Sequence, residues 1–363
     1  MGRGINRVAR LTLPLALASG WAAAGDDLPA ATAHGLDAMA PAGHWAARLT
    51  VLHNGYDHRF DDSGTRVDLD AAYNTQLANA GFTVNLDTRV TTDFTELMLG
   101  YGLTEDLTVG AILPYIRTTN RVGLRDTGLV GASVLQGALT GILGYKPLAT
   151  TTVAGLSDPT VGALWRFHKG EKDSAIAGFG VRIGLAKADD PDNLADVPPG
   201  DGSTDLRFRL EYFRDLGRGW DLRLLAEHQV QLPDEIRARP GNPLTTPAAA
   251  TETLKRNLGD YQEFDLELGK TWGDWRASAT WHRYQEASDR YTSRLGTDTS
   301  WLSADTRTVA DQARLSLTWS GIRAWRAGRL PLPLIVKLEI QDAVAGRNFV
   351  DVRDVYLRVT SFF

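Results

Sequence analysis

Strict alternation of apolar and polar residues constrains this chain more than any other feature. Across Leu206–Tyr212, Leu206, Phe208, Leu210 and Tyr212 share one face of an extended strand, and Arg207, Arg209 and Glu211 share the other. The same period of two returns at 177–185, 222–230, 264–270, 313–319 and 332–340. In the last of these, Leu332, Leu334, Val336, Leu338 and Ile340 lie opposite Lys337 and Glu339. The chain closes on one more such run, Asp354–Phe363, with Arg358 between apolar residues and an aromatic at the end. No later segment is apolar and long enough to cross a membrane as a helix.

Alternation alone fits either a soluble sandwich or a transmembrane barrel, and the connections separate the two. Short turns at 102–106, 168–173, 215–219 and 273–274 alternate with long loops at about 55–91, 118–157, 186–202, 233–258 and 287–305. Short periplasmic turns opposite long outside loops mark a transmembrane β-barrel. The expected fold is therefore all-β, an antiparallel up-and-down transmembrane barrel with both termini in the periplasm. Its twelve strands fall near 44–54, 92–102, 107–117, 158–168, 174–185, 203–214, 219–231, 259–271, 275–286, 307–319, 332–341 and 350–363, most near the ~9–11 residues a tilted strand needs to cross. Trp45, Tyr101, Trp165, Phe167, Tyr212, Trp220, Trp272, Trp275 and Trp319 all fall beside the short turns, where an interfacial girdle belongs. In the closing strand Val355, Leu357 and Val359 face lipid, while Tyr356, Arg358 and Thr360 face the lumen, which makes the arginine tolerable.

The N-terminus supports export. Arg3, Arg7 and Arg10 precede the short apolar run Leu11–Ala18 and the small residues Ala22, Ala23 and Ala24. This is the layout of a signal peptide over 1–24, cleaved near Ala24. A short periplasmic segment, 25–43, then leads into the barrel, 44–363. A chain of 363 residues with a net charge of -5 offers no clustered basic face for nucleic acid. It has no cysteine, which excludes disulfides and thiolate metal sites. Its histidines form no pair at metal-ligand spacing, so no metal and no organic cofactor is expected. Calcium at Asp189, Asp190 and Asp192 is conceivable, although such acidic runs are usually solvated turns.

Three stretches carry recognisable turn-and-strand motifs: YGLTEDLTVGAILPY at 101–115, GLSDPTVGALWRF at 155–167 and GDGSTDLRFRLEYFRDLG at 200–217. Together they resemble the outer-membrane proteins of the meta-pathway phenol-degradation family, clearly over about 90–230 and by pattern elsewhere. The resemblance implies a transporter-like barrel for hydrophobic or aromatic compounds. It supplies no catalytic residues.

Alternation assigns Arg166, Arg182, Arg207, Arg209, Arg223, Arg276, Arg314, Lys337 and Arg358 to the lumen, set against Glu96, Glu211, Glu227, Asp265, Glu267 and Glu339. Two arrangements fit: a salt-bridged, packed interior, or an arginine ladder that attracts anions. In the long loop, Leu129 precedes Leu135, Leu139, Ile142 and Leu143, whose spacing is that of one helical face. These five residues are candidates for a lid or for contact with a hydrophobic solute, and 67–81 has the makings of a second short helix. The expected function is passive uptake of small hydrophobic or aromatic compounds through the outer membrane. The alternatives are a structural or adhesive barrel acting through its loops, and a barrel-embedded hydrolase. For the last, Ser278 and His282 share a face without a supporting motif, and no enzymatic activity is expected. The expected partners are outer-membrane lipid, the barrel assembly machinery through the strand ending at Phe363, and the solute.

Overall fold

In the computed structural model, residues 39–363 are described; the expected signal peptide and residues 25–38 lie outside them. Twelve antiparallel strands form the wall: β1 (Trp45–Tyr56), β2 (Val84–Thr104), β3 (Leu107–Asp126), β4 (Thr160–Lys169), β5 (Asp173–Arg182) and β6 (Asp205–Gly217). They continue as β7 (Trp220–Gln231), β8 (Tyr261–Trp272), β9 (Trp275–Glu286), β10 (Thr308–Ser320), β11 (Leu334–Arg347) and β12 (Arg353–Phe362). Each pairs with its neighbours in the chain, and β1 pairs with β12 from Ala46↔Phe362 to Gly55↔Arg353, closing the barrel. Backbone bonds between Trp45 and Phe363 at 2.7 and 3.0 Å finish the seam. Closure leaves no unpaired edge, which is the condition for a sheet to sit in hydrocarbon. Strands ~4.8 Å apart and tilted ~40° give a twelve-strand wall a radius of about 12 Å.

The two faces of the wall follow the alternation. Leu97, Leu113, Val161, Leu210, Leu266, Leu315 and Leu338 are exposed on the outside, where lipid replaces water as their solvent. Aromatic side chains form a row at the short-turn end. Trp45 and Tyr101 stack at 5.1 Å, Trp165 and Phe167 at 5.8 Å, and the register aligns Trp272, Trp275 and Trp319 across three strands.

The β2–β3 hairpin is longer than expected. It runs from Thr104↔Leu107 to Val84↔Asp126, about ten residues past the expected top of the wall. The segment Val84–Val90 carries the same alternation, Val84, Leu86 and Val90 against Asn85, Asp87 and Arg89, yet it lies beyond the ~9–11 residues that one crossing needs and so falls within the expected 55–91 loop. The extension is held from both sides. The strand Thr151–Leu156 pairs with the outer half of β3, and the helix α1 (Ala71–Asn79) packs against β2. The remaining loops fold into two small sheets over the mouth. One joins Asp234–Ala238, Glu252–Asn257 and Arg290–Ser293; the other joins His58–Phe60, Arg66–Asp68 and Phe349–Val350.

At the short-turn end the inner wall carries an apolar cluster. Ala40 and Ala46 meet Ile322, Ile335 and Phe362, with Trp325 against them. Ile322 and Trp325 come from a one-turn helix, Ile322–Arg326, in the connection between β10 and β11. Thr108 anchors the chain here: the Ala40 N–H donates to its Oγ1 at 2.9 Å. At Gly102, a Cβ would fall 2.1 Å from the Pro41 carbonyl oxygen, so only glycine lets this segment lie so close to β2.

Candidate functional site

The lumen has two unlike halves. On β6–β12 the inward side chains form two ion-paired clusters side by side. Arg223 bonds Glu211 at 2.6 Å and approaches Glu267 at 3.6 Å. Arg276 lies between Glu267, at 2.6 Å, and Asp221, whose Oδ2 accepts its Nε–H at 3.0 Å. Arg209 reaches Glu211 at 2.7 Å, and Arg207 donates to Glu227 at 3.0 Å. Further round the ring, Arg314 contacts Asp265 at 3.2 Å and Glu339 at 3.7 Å. Glu339 also receives Lys337 at 2.6 Å and Arg358 at 3.2 Å. Charges held this way satisfy one another and fix the wall.

Two of the expected lumenal arginines lie away from this belt. Arg182, near the top of β5, pairs with Asp205 and, at 2.7 Å, with Asp201. Arg166, near the bottom of β4, donates to the Glu105 carbonyl at 3.1 Å and lies 3.5 Å from Asp106. It braces a periplasmic turn. Alternation left Arg48 and Glu263 out of the list, although both line the central cavity. On β1, Arg48 shares its inward face with Leu52, whose apolar side chain blurs the inside–outside contrast.

The β2–β5 half is nearly uncharged. Gly100, Gly110, Gly162 and Gly180 pair with one another in turn, so one row of the wall over four strands is bare backbone. Met98, Ile112 and Leu164 flank the row and, with Ala40 and Ala46, line a slot of about 180 Å³. The slot adjoins a central cavity of about 570 Å³, with Arg48, Arg209 and Glu227 lining both.

A third cavity, about 320 Å³, lies at the long-loop end among Leu69, Leu77, Leu86, Val90, Leu135 and Leu139. The loop helices form its walls: α1, and α2 (Ala132–Gly137) with its continuation to Ile142. Leu135 and Leu139 are buried and Leu143 packs beside them, as residues four apart on a helix do. Leu129 and Ile142 point the other way, 100% and 77% exposed. Arg239 ties three loops together: it donates to the Leu143 and Gly144 carbonyls at 2.8 and 2.9 Å, meets Asp192 at 2.5 Å, and lies 3.6 Å over the Tyr145 ring. Lys146 similarly holds Asp190 at 2.5 Å, so two of the three carboxylates of the acidic run, Asp190 and Asp192, are engaged by cations.

Ser278 and His282 occupy one inward face without meeting. Ser278 bonds Ser316 at 2.6 Å and His282 bonds Asp265 at 2.6 Å. Four residues along a strand set them about 13 Å apart.

No family model matches the chain, and no curated protein does. Among solved structures, the chain is similar to an outer membrane channel from Pseudomonas putida F1, at 13% identity and a TM-score of 0.60 over 93% of this chain and all of that one. The translocator domain of the autotransporter NalP from Neisseria meningitidis matches at 11% identity and a TM-score of 0.44, covering 88% of each chain. The toluene transporter TbuX from Ralstonia pickettii matches at 11% identity and a TM-score of 0.40, covering 92% of this chain and 97% of that one. The chain is a twelve-strand β-barrel of the Gram-negative outer membrane.

Proposed function

We propose that this barrel is a channel for small hydrophobic compounds, aromatic ones among them. The observation that carries the proposal is the glycine-rich, sparsely charged half of the lumen, where Glu96 is the acid that faces the central cavity. An apolar pocket opens among the loops at one end, and an apolar slot lies against the glycine row near the other. Gly110 and Gly162 are already required by the sheet, since a Cβ would fall 2.5 Å from the Leu99 and Phe179 carbonyl oxygens, and the bare row they make with Gly100 and Gly180 also lets a flat solute approach the wall closely. The barrel of similar fold from Pseudomonas putida is described as a channel, which agrees with this function. On this proposal the chain belongs with the phenol-degradation family its turn motifs resemble, and no catalytic residues are assigned.

The test is flux. The protein refolded into liposomes should speed entry of a small aromatic such as phenol over protein-free liposomes. Entry no faster than in the controls, from barrels shown to be folded, refutes the channel.

A further inference from the structure

The slot against the glycine row has a charged rim on one side only. Arg48, Arg207 and Arg209 line it together with a single carboxylate, Glu227, which Arg207 already engages. Six cationic side chains line the adjoining central cavity, and five are ion-paired: Arg209, Arg223, Arg314, Lys337 and Arg358. The sixth is Arg48. Among the described residues no carboxylate lies within 4.0 Å of its guanidinium. Glu96 faces the central cavity but not the slot. Two residues further along the inner face of β1, Thr50 is 3% exposed, and its buried Oγ1 has no hydrogen-bond partner. Arg48 thus borders the apolar slot without a carboxylate at contact distance, and Glu96 is the acid whose charge acts on it from the central cavity.

The geometry points to a binding site for a small aromatic monocarboxylate, its ring lying flat on the glycine row and its carboxylate on Arg48. The size supports a single ring: a cavity of about 150 Å³ holds benzene, and the slot measures about 180 Å³. The row admits a ring because Gly100, Gly110, Gly162 and Gly180 put no side chain in its way. The fork of a guanidinium matches a carboxylate in two parallel hydrogen bonds. A neutral hydrocarbon would fill the slot and leave Arg48 unsatisfied, whereas an aliphatic acid would satisfy Arg48 and leave the slot unfilled. The site deepens the channel proposal by naming the class of solute, and rests on it for its role in transport.

Calorimetric titration of the refolded barrel with benzoate reads the site without requiring flux. Saturable binding is expected, with acetate and benzene each at least tenfold weaker. Arg48→Met should weaken benzoate at least tenfold, because a charge-assisted pair is lost. Met98→Trp, which fills the slot and leaves every arginine in place, should do the same. Folding of both variants is checked by resistance to urea. No saturable benzoate binding, or acetate binding as tightly as benzoate, overturns the site. So does undiminished binding by both folded variants. Liposome flux separates the two proposals: benzoate binding without phenol entry sinks the channel and keeps the site, and phenol entry without benzoate binding does the reverse.

Discussion

Arg276 gives the sharpest test of whether the charged half of the lumen behaves as a dry, packed network. Its side chain is almost fully buried between Asp221 and Glu267, which are buried as well. In Arg276→Met, Glu267 keeps Arg223 at 3.6 Å, but Asp221 loses its ion pair. Removing one partner of a buried pair costs about 3–5 kcal/mol, because the other charge stays desolvated. The control is Arg353→Ala, which breaks a 2.6 Å pair with Asp342 between two exposed side chains and should cost about 0–1 kcal/mol. The double variant Arg276→Met with Asp221→Asn removes the stranded charge and should recover about half of the loss or more. Urea unfolding in lipid vesicles, followed by tryptophan emission, measures all three. If Arg276→Met loses no more than Arg353→Ala, water reaches Asp221 freely and the claim of a packed network is wrong.

Two further outcomes concern the loops. Arg239→Ala should leave the barrel's urea resistance unchanged but speed limited proteolysis within 127–159 and 183–204 by roughly tenfold or more, since three loops lose their shared anchor. At Asp70, burial raises the carboxyl's pKa despite the hydrogen bond it accepts from the Thr88 N–H at 2.5 Å. A raised value means the folded loop favours the protonated acid. Its stabilising contribution is therefore full below the ordinary carboxylate range and is lost as pH rises through the raised value. Hydrogen exchange of α1 amides, corrected for intrinsic rates, should show protection falling over that window. Asp70→Asn should show a flat profile.

Much of the wall was legible because lipid and lumen impose opposite demands on successive residues. That contrast placed all twelve strands and sent Arg223 inward, with Glu267 and Glu339 paired to the lumenal Arg223 and Lys337. It said less about where a strand ends. At Val84–Val90 the alternation continues past the length one crossing needs, because β2 runs on as a paired strand. The glycine row was invisible for a different reason. Gly100, Gly110, Gly162 and Gly180 align only through the register of three strand pairings, which no local pattern specifies. The packing of Ala40 against Ile322 and Phe362 was equally hidden, because it joins distant parts of the chain.

The seam between β1 and β12 has a kinetic consequence. Every other junction in the wall joins strands adjacent in the chain, whereas Gly55↔Arg353 closes a loop of almost the entire barrel. Such a contact forms late, since the entropy of a long closure must be met before any bond rewards it. Until it forms, β1 and β12 each present a free edge that hydrocarbon will not solvate. A half-built wall therefore has no stable resting place in the bilayer. Entry into the membrane and closure of the ring are thus coupled, and the seam that ends at Trp45 and Phe363 is where the coupling is made.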